Sequence, residues 1–161
     1  MGGDAAALEI ARPAIANFAG KISHMGGHGA GQATKACNQI LNFSTMLGIA
    51  ESITLMKRFG LDSDQLPAAL SGGFADSKML KEYGRTNAIG PNMGLARMMN
   101  TLAGYDQGRI DPSYAGTMHI ALKDLGVILD LSRRVGGPTH IMSVFDNIVR
   151  TLHYQEPNPV R

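Results

Sequence analysis

A chain of 161 residues with 44% apolar positions can bury one core, with room for a fragment of a second domain. Lys and Arg number 15 against 13 Asp and Glu, a formal net charge of +2, and no basic run tracks a phosphate backbone, so nucleic acid is not an expected partner. The single cysteine, Cys37, rules out a disulfide framework, no apolar run reaches the ~20 residues that cross a bilayer, and no basic segment leads into an apolar cleavage region. The expected compartment is therefore the cytoplasm, with no membrane partner.

Asp4 is a natural N-cap for a first helix whose Leu8, Ile10, Ala11, Ile15 and Phe18 recur at helical spacing, with Pro13 bending or dividing it and Gly20 as its stop. "KISHM", Lys21 to Met25, alternates briefly and reads as a strand before the glycine-rich turn "GGHGAG". One strand cannot bury itself, so this one asks for sheet neighbours that the rest of the chain does not supply. From Ala30 to Phe59 there is no proline, and only Gly31 and Gly48 interrupt the pattern, which predicts one helix of roughly 45 Å ending at Gly60. Its apolar rows, Ile40, Phe43, Leu47 and Ala50 beside Met46, Ile49, Ile53 and Met56, mark it as central.

A short helix follows, led by Asp62 or Ser63 and closed by Gly72-Gly73, and Ser77 caps the next, "KMLKEYGRTNAI". The stretch Gly90 to Pro112 is the least periodic and holds a short helix at Leu95 to Leu102. Two clearer helices close the chain. Thr117 to Val135 carries the stripe Met118, Ala121, Leu122, Leu125, Ile128 and Leu129; from Pro138 a second carries Ile141, Met142, Phe145, Ile148, Val149 and Leu152. "QEPNPVR" reads as a loose tail.

The opening turns of the long helix place Gly31, Lys35, Asn38, Gln39 and Asn42 in one polar stripe, since residues three, four and seven apart share a face. Two readings stay open: a solvated face, or a site entered through Gly31, where a ligand or another backbone can approach closely. "GGHGAG" matches neither GxGxxG nor GxxxxGK, although a helix N-terminus attracts anions. His24 and His28 lack a carboxylate pattern that would make a metal site, so no metal is expected, and Cys37 reads as a core residue. "KDLGVILDLSRR" sets Lys123, Gly126 and Asp130 opposite the apolar stripe of its helix, and Lys123 gains interest if that helix crosses near Lys35.

Three segments in order carry a resemblance over nearly the whole chain. "GGHGAGQATKACNQ", "GGFADSKML" and "ALKDLG" resemble the β-hydroxyacid dehydrogenases, the family of 3-hydroxyisobutyrate dehydrogenase and tartronate semialdehyde reductase, distantly related to 6-phosphogluconate dehydrogenase. The resemblance implies a mainly α fold, a bundle around one long helix like the carboxy-terminal domain of 6-phosphogluconate dehydrogenase, preceded by a remnant helix and strand of a Rossmann domain. Residues 1–28 are then the tail end of a dinucleotide-binding domain whose GxGxxG turn is missing from this chain, and 29–161 the all-α substrate and dimerisation domain.

The resemblance puts Lys35 in the catalytic role with Asn38 beside it; relatives have two asparagines where this chain has Asn38-Gln39, which leaves open which amide meets substrate. It implies Gly31, Gln39, Phe74 and Ser77 on the substrate side, with Gly72 to Leu80 closing over it, and Lys123 and Asp124 near the cofactor, NAD or NADP. The implied partners are a small hydroxyacid or semialdehyde and at least a second copy of the chain. Hydride delivery to a carbonyl develops negative charge on oxygen, which an ammonium can stabilise and protonate; in reverse the neutral amine takes the hydroxyl proton. Partial burial and a nearby Lys123 favour that neutral amine. A non-catalytic helical dimerisation module is the alternative from another class, and an imine-reductase-like relative a third, which the presence of Lys35 weakens. The stretch Gly84 to Pro112 departs from the family by being longer and richer in glycine.

Overall fold

The computed structural model describes residues 1–108 and 115–154, with side chains from 119 to 153 in the last two helices. The expectations for Met118 and for the tail from Gln155 therefore lie outside the described side chains. Helices α1 (Ala5–Ala16), α2 (Ala30–Arg58), α3 (Leu66–Ala69), α4 (Lys78–Ile89), α5 (Gly94–Ala103), α6 (Ala115–Val135) and α7 (His140–Tyr154) follow in order, with 3-10 turns at Ser63–Gln65 and Tyr105–Gln107.

Helix α2 is the axis. It starts from Gly29 at φ +87° and ends where Gly60 at φ +71° lets the Leu61 amide donate to the Met56 carbonyl at 2.9 Å, a Schellman closure. Its Phe43, Met46, Ile49, Ala50 and Ile53 are buried against α5, α6 and α7, and α4 packs on α5. The Phe43 and Phe145 rings meet at 5.1 Å between centroids. The buried row of α7 is Met142, Phe145, Val149 and Leu152; Ile141, expected in it, is 53% exposed because Met142 takes the inward position.

Caps fall where side-chain oxygens can reach orphan amides. Asp4 Oδ1 accepts from the Ala7 amide at 2.8 Å, and Ser77 Oγ from the Leu80 amide at 3.1 Å. Thr86, buried, stitches α4 to α5: its hydroxyl donates to the Glu82 carbonyl at 2.9 Å and accepts from the Ala96 amide at 2.9 Å. Among the described residues no helix is long and apolar enough to cross a membrane.

Three expectations for the amino-terminal part change. Pro13 sits inside α1 without dividing it, and the helix stops at Ala16 rather than at Gly20, because Asn17 Nδ2 donates to the Pro13 and Ala14 carbonyls. Only Leu8 of α1 is buried; Ile10 and Phe18 are more than four-fifths exposed, since no layer of described residues covers them. "KISHM" forms no strand. It runs extended beside residues 1–3, with the amino-terminal Met1 ammonium donating to the Ser23 carbonyl at 2.7 Å and the Met25 amide to the Met1 carbonyl at 2.8 Å.

Candidate active site at the start of the central helix

Of residues 30–42 in α2 only Ala36 is buried, so the first turns of the helix carry their polar stripe beyond the covered part of the bundle. Cys37, expected in the core, is exposed there for the same reason. Gly31 answers one question left open by the sequence: an added Cβ would lie 2.9 Å from the Gly2 amide nitrogen, so the close approach is that of another backbone.

Gln39 is the hub of the stripe. Its Oε1 accepts from Asn42 Nδ2 at 3.1 Å and from Asn38 Nδ2 at 3.3 Å, and its Nε2 donates to Asp124 Oδ2 at 2.6 Å across to α6. Asp124 is largely buried, and Lys123 Nζ lies 3.0 Å from its Oδ1. Burial works to raise the Asp124 pKa. The hydrogen bonds from Lys123 and Gln39, with the positive charges of Lys123 and Lys35, outweigh it and hold the carboxyl below its ordinary range. Helix α6 thus crosses α2 at this point, and Lys35 and Lys123 both act on one carboxylate.

Lys35 itself is exposed and makes no hydrogen bond or ion pair among the described residues, so the expected partial burial is not observed. Phe74 is fully exposed and Ser77 serves as the cap of α4; neither joins the hydrogen-bonded group around Asp124. The loop that carries them is braced by Asp76, which accepts from the Gly72 amide at 3.0 Å and pairs with Lys81 at 2.9 Å. Behind Gln39 and Asp124 lies an apolar recess of about 100 Å³, walled by Phe43, Met98, Ile120 and Phe145. No sequence pattern points to Met98 here, since its place depends on how α5 packs on α2. His24 Nε2 is hydrogen-bonded with the Gly3 carbonyl at 2.8 Å, and no group of three or more His, Cys, Asp or Glu among the described residues could hold a metal ion.

Chemically, the arrangement offers two ammonium groups, three amides and one anchored carboxylate at the start of α2, with an apolar recess behind Gln39 and Asp124, a set able to hold a polar ligand. Residues 29–158 match the family model described as NAD-binding of NADP-dependent 3-hydroxyisobutyrate dehydrogenase, and the chain belongs to this family. It is 34% identical over 158 residues to 3-hydroxyisobutyrate dehydrogenase of Pseudomonas aeruginosa, covering 96% of this chain and 47% of that protein. Over 84 residues it is 33% identical to 2-hydroxy-3-oxopropionate reductase of Escherichia coli, covering 52% of this chain and 29% of that one. The solved structure of Mycobacterium tuberculosis 3-hydroxyisobutyrate dehydrogenase with L-serine superposes with a TM-score of 0.69 at 27% identity, covering 96% of this chain and 48% of the other. The chain spans about half the length of the full-length relatives it matches.

Proposed function

We propose that residues 29–161 are the catalytic and dimerisation half of an NAD(P)-dependent 3-hydroxyacid dehydrogenase of the 3-hydroxyisobutyrate or tartronate semialdehyde type, and that residues 1–28 belong with its dinucleotide-binding domain. The observation that carries this reading is the 2.6 Å hydrogen bond from Gln39 to Asp124, which joins two motifs 85 residues apart into one polar group beside Lys35.

In this reading Lys35 donates a proton to the carbonyl oxygen as charge develops on it, and in the oxidative direction its neutral amine accepts the hydroxyl proton. Asn38, held through Gln39, orients the substrate oxygen, and Phe74 and Ser77 belong to the loop that closes over it. The nicotinamide end of the cofactor would lie against the apolar recess behind Gln39 and Asp124, with Lys123 paired to Asp124 nearby. The described residues include no GxGxxG turn to cradle a pyrophosphate. When bound, nicotinamide supplies the hydride or receives it.

Dimerisation is supported by α2 itself. The apolar rows of α2 are largely covered by α5, α6 and α7, but Leu41, Leu55 and Phe59 stay 70%, 58% and 73% exposed. Leu41 and Leu55 lie two turns either side of Gly48, an arrangement that suits two-fold self-packing. One observation favours the alternative of a non-catalytic dimerisation module: Lys35 stands exposed with no described partner. The lone exposed Cys37 accords with a cytoplasmic setting.

The deciding experiment follows nicotinamide absorbance with 3-hydroxyisobutyrate and tartronate semialdehyde, with a dinucleotide-binding half supplied by the natural reading frame or by fusion. Turnover with one of them is expected. Dinucleotide binding without turnover on any small hydroxyacid or semialdehyde would favour the dimerisation module.

A further inference from the structure

A cavity of about 560 Å³ opens at the other end of α2, between its last turns, the 63–65 turn, and helices α4 and α5. Its Thr54 is about five helical turns from Lys35, ~28 Å at 1.5 Å per residue, so it shares no wall with the group around Asp124. The volume falls within the about 300–1,000 Å³ of small-molecule sites. Asn87, Pro91 and Asn100 in its lining come from the stretch 84–112, where the sequence departs from the family pattern.

Its polar walls are fixed in place by hydrogen bonds between separate elements. Thr54 Oγ1 donates to the Ala103 carbonyl at 3.0 Å, Asn87 Nδ2 to Asp64 Oδ1 at 2.7 Å, and Asn100 Nδ2 to the Pro91 carbonyl at 3.2 Å. Two cations line the space. Arg58 is paired with Asp106, whereas the described partner of the Lys57 ammonium is a neutral amide, Asn100 Oδ1 at 3.4 Å. Lys57 also faces the negative end of the α2 dipole, but a cation serving only a helix end needs no walls around it. Asp64 is the one carboxylate of the lining, against Lys57 and Arg58, and the Lys57 ammonium has no ion pair among the described residues, so the space keeps a cation able to attract an anion. Asp64, whose Oδ1 takes the Asn87 amide, has a second carboxylate oxygen that can accept from a hydroxyl.

We infer that this cavity is a second binding site, separate from the proposed active site, for a small hydroxylated anion, with its carboxylate or phosphate group on Lys57 and its hydroxyl toward Asp64. The inference does not depend on the dehydrogenase reading.

The test is a titration of the isotopically labelled chain with glycerol 3-phosphate, with glycerate and with neutral glycerol, read from backbone amide shifts. Saturable shifts confined to 54–64 and 87–107 are expected with at least one anion and not with glycerol, and the tighter anion tells phosphate from carboxylate. Lys57→Ala should weaken binding by about tenfold or more, one decade of affinity. Lys57→Gln, which keeps the stem that packs along the wall, should repeat that loss if the alanine variant folds poorly. The absence of saturable shifts at millimolar anion, unchanged affinity in both Lys57 variants, or shifts confined to 30–42 and abolished by Lys35→Ala would overturn the proposal.

Discussion

The first turns of α2 and the buried stretch that follows them are built from different residues to different purposes. From Phe43 to Ile53 one face lies at 8% exposure or less, pressed on α5, α6 and α7, while from Ala30 to Asn42 the one buried residue is Ala36. The first kind of contact is non-directional and tolerates many side chains of the right size. The second depends on single donor and acceptor pairs, Asn38 and Asn42 to Gln39 and Gln39 to Asp124, that fail if one atom is misplaced. A helix long enough to serve both allows a rigid core to position a polar site beyond its own edge.

Damage to the buried end should appear first as a large loss of stability. Phe145→Ala removes the ring that meets Phe43 and should cost about 3–5 kcal/mol, the usual range for a buried Phe→Ala. Urea unfolding of the chain measures it, and a loss under about 1 kcal/mol would mean that the bundle is not packed around this pair. The exposed face of the same half predicts a different response. Leu55→Glu should halve the solution mass by light scattering while leaving the monomer fold within about 0.5 kcal/mol of the parent, as surface changes do. A parent chain that is already monomeric would remove the proposed two-fold packing.

At the polar end the expected effect on stability is smaller and depends on pH. The Asp124 carboxyl titrates below its ordinary value of 3.8 in the folded chain, so its stabilising contribution is complete above that value and is lost as pH falls through the folded pKa. Asp124→Asn should therefore be less stable than the parent at pH 7, and the difference should shrink below about pH 4. A difference that is constant across this range would mean that Asp124 is not held as a charged partner of Gln39 and Lys123.

How much of this was legible in the sequence follows the same division. The extent of α2 was readable because twenty-odd residues of 3.6-residue periodicity average out local noise, and because Gly29 and Gly60 punctuate it at left-handed φ. The caps at Asp4 and Ser77 were readable because each acts within three residues, and of Asp62 and Ser63, both left open, Asp62 is the cap. "KISHM" misled because two alternating residues resemble a strand, while a strand needs a partner that local pattern does not reveal. Cys37 misled because α2 is apolar on several sides, and only the placement of α5, α6 and α7 decides which side is covered. The bond from Gln39 to Asp124 spans 85 residues, beyond any periodicity; the resemblance named both motifs, and the fold joins them.

The central claim is that Lys35 moves the proton, and the measurement that tests it most directly is steady-state kinetics of Lys35→Ala beside Lys35→Arg, with the dinucleotide-binding half present. If Lys35 is the general acid, kcat should fall about 10²–10⁴-fold in the alanine variant, with nicotinamide dinucleotide affinity nearly unchanged. The arginine variant should be almost as slow, because a guanidinium keeps the charge but cannot exchange a proton near neutral pH. If Lys35→Ala instead kept more than about a tenth of the parent kcat, well outside the general-acid range, the lysine would be a surface residue and the catalytic assignment would be wrong.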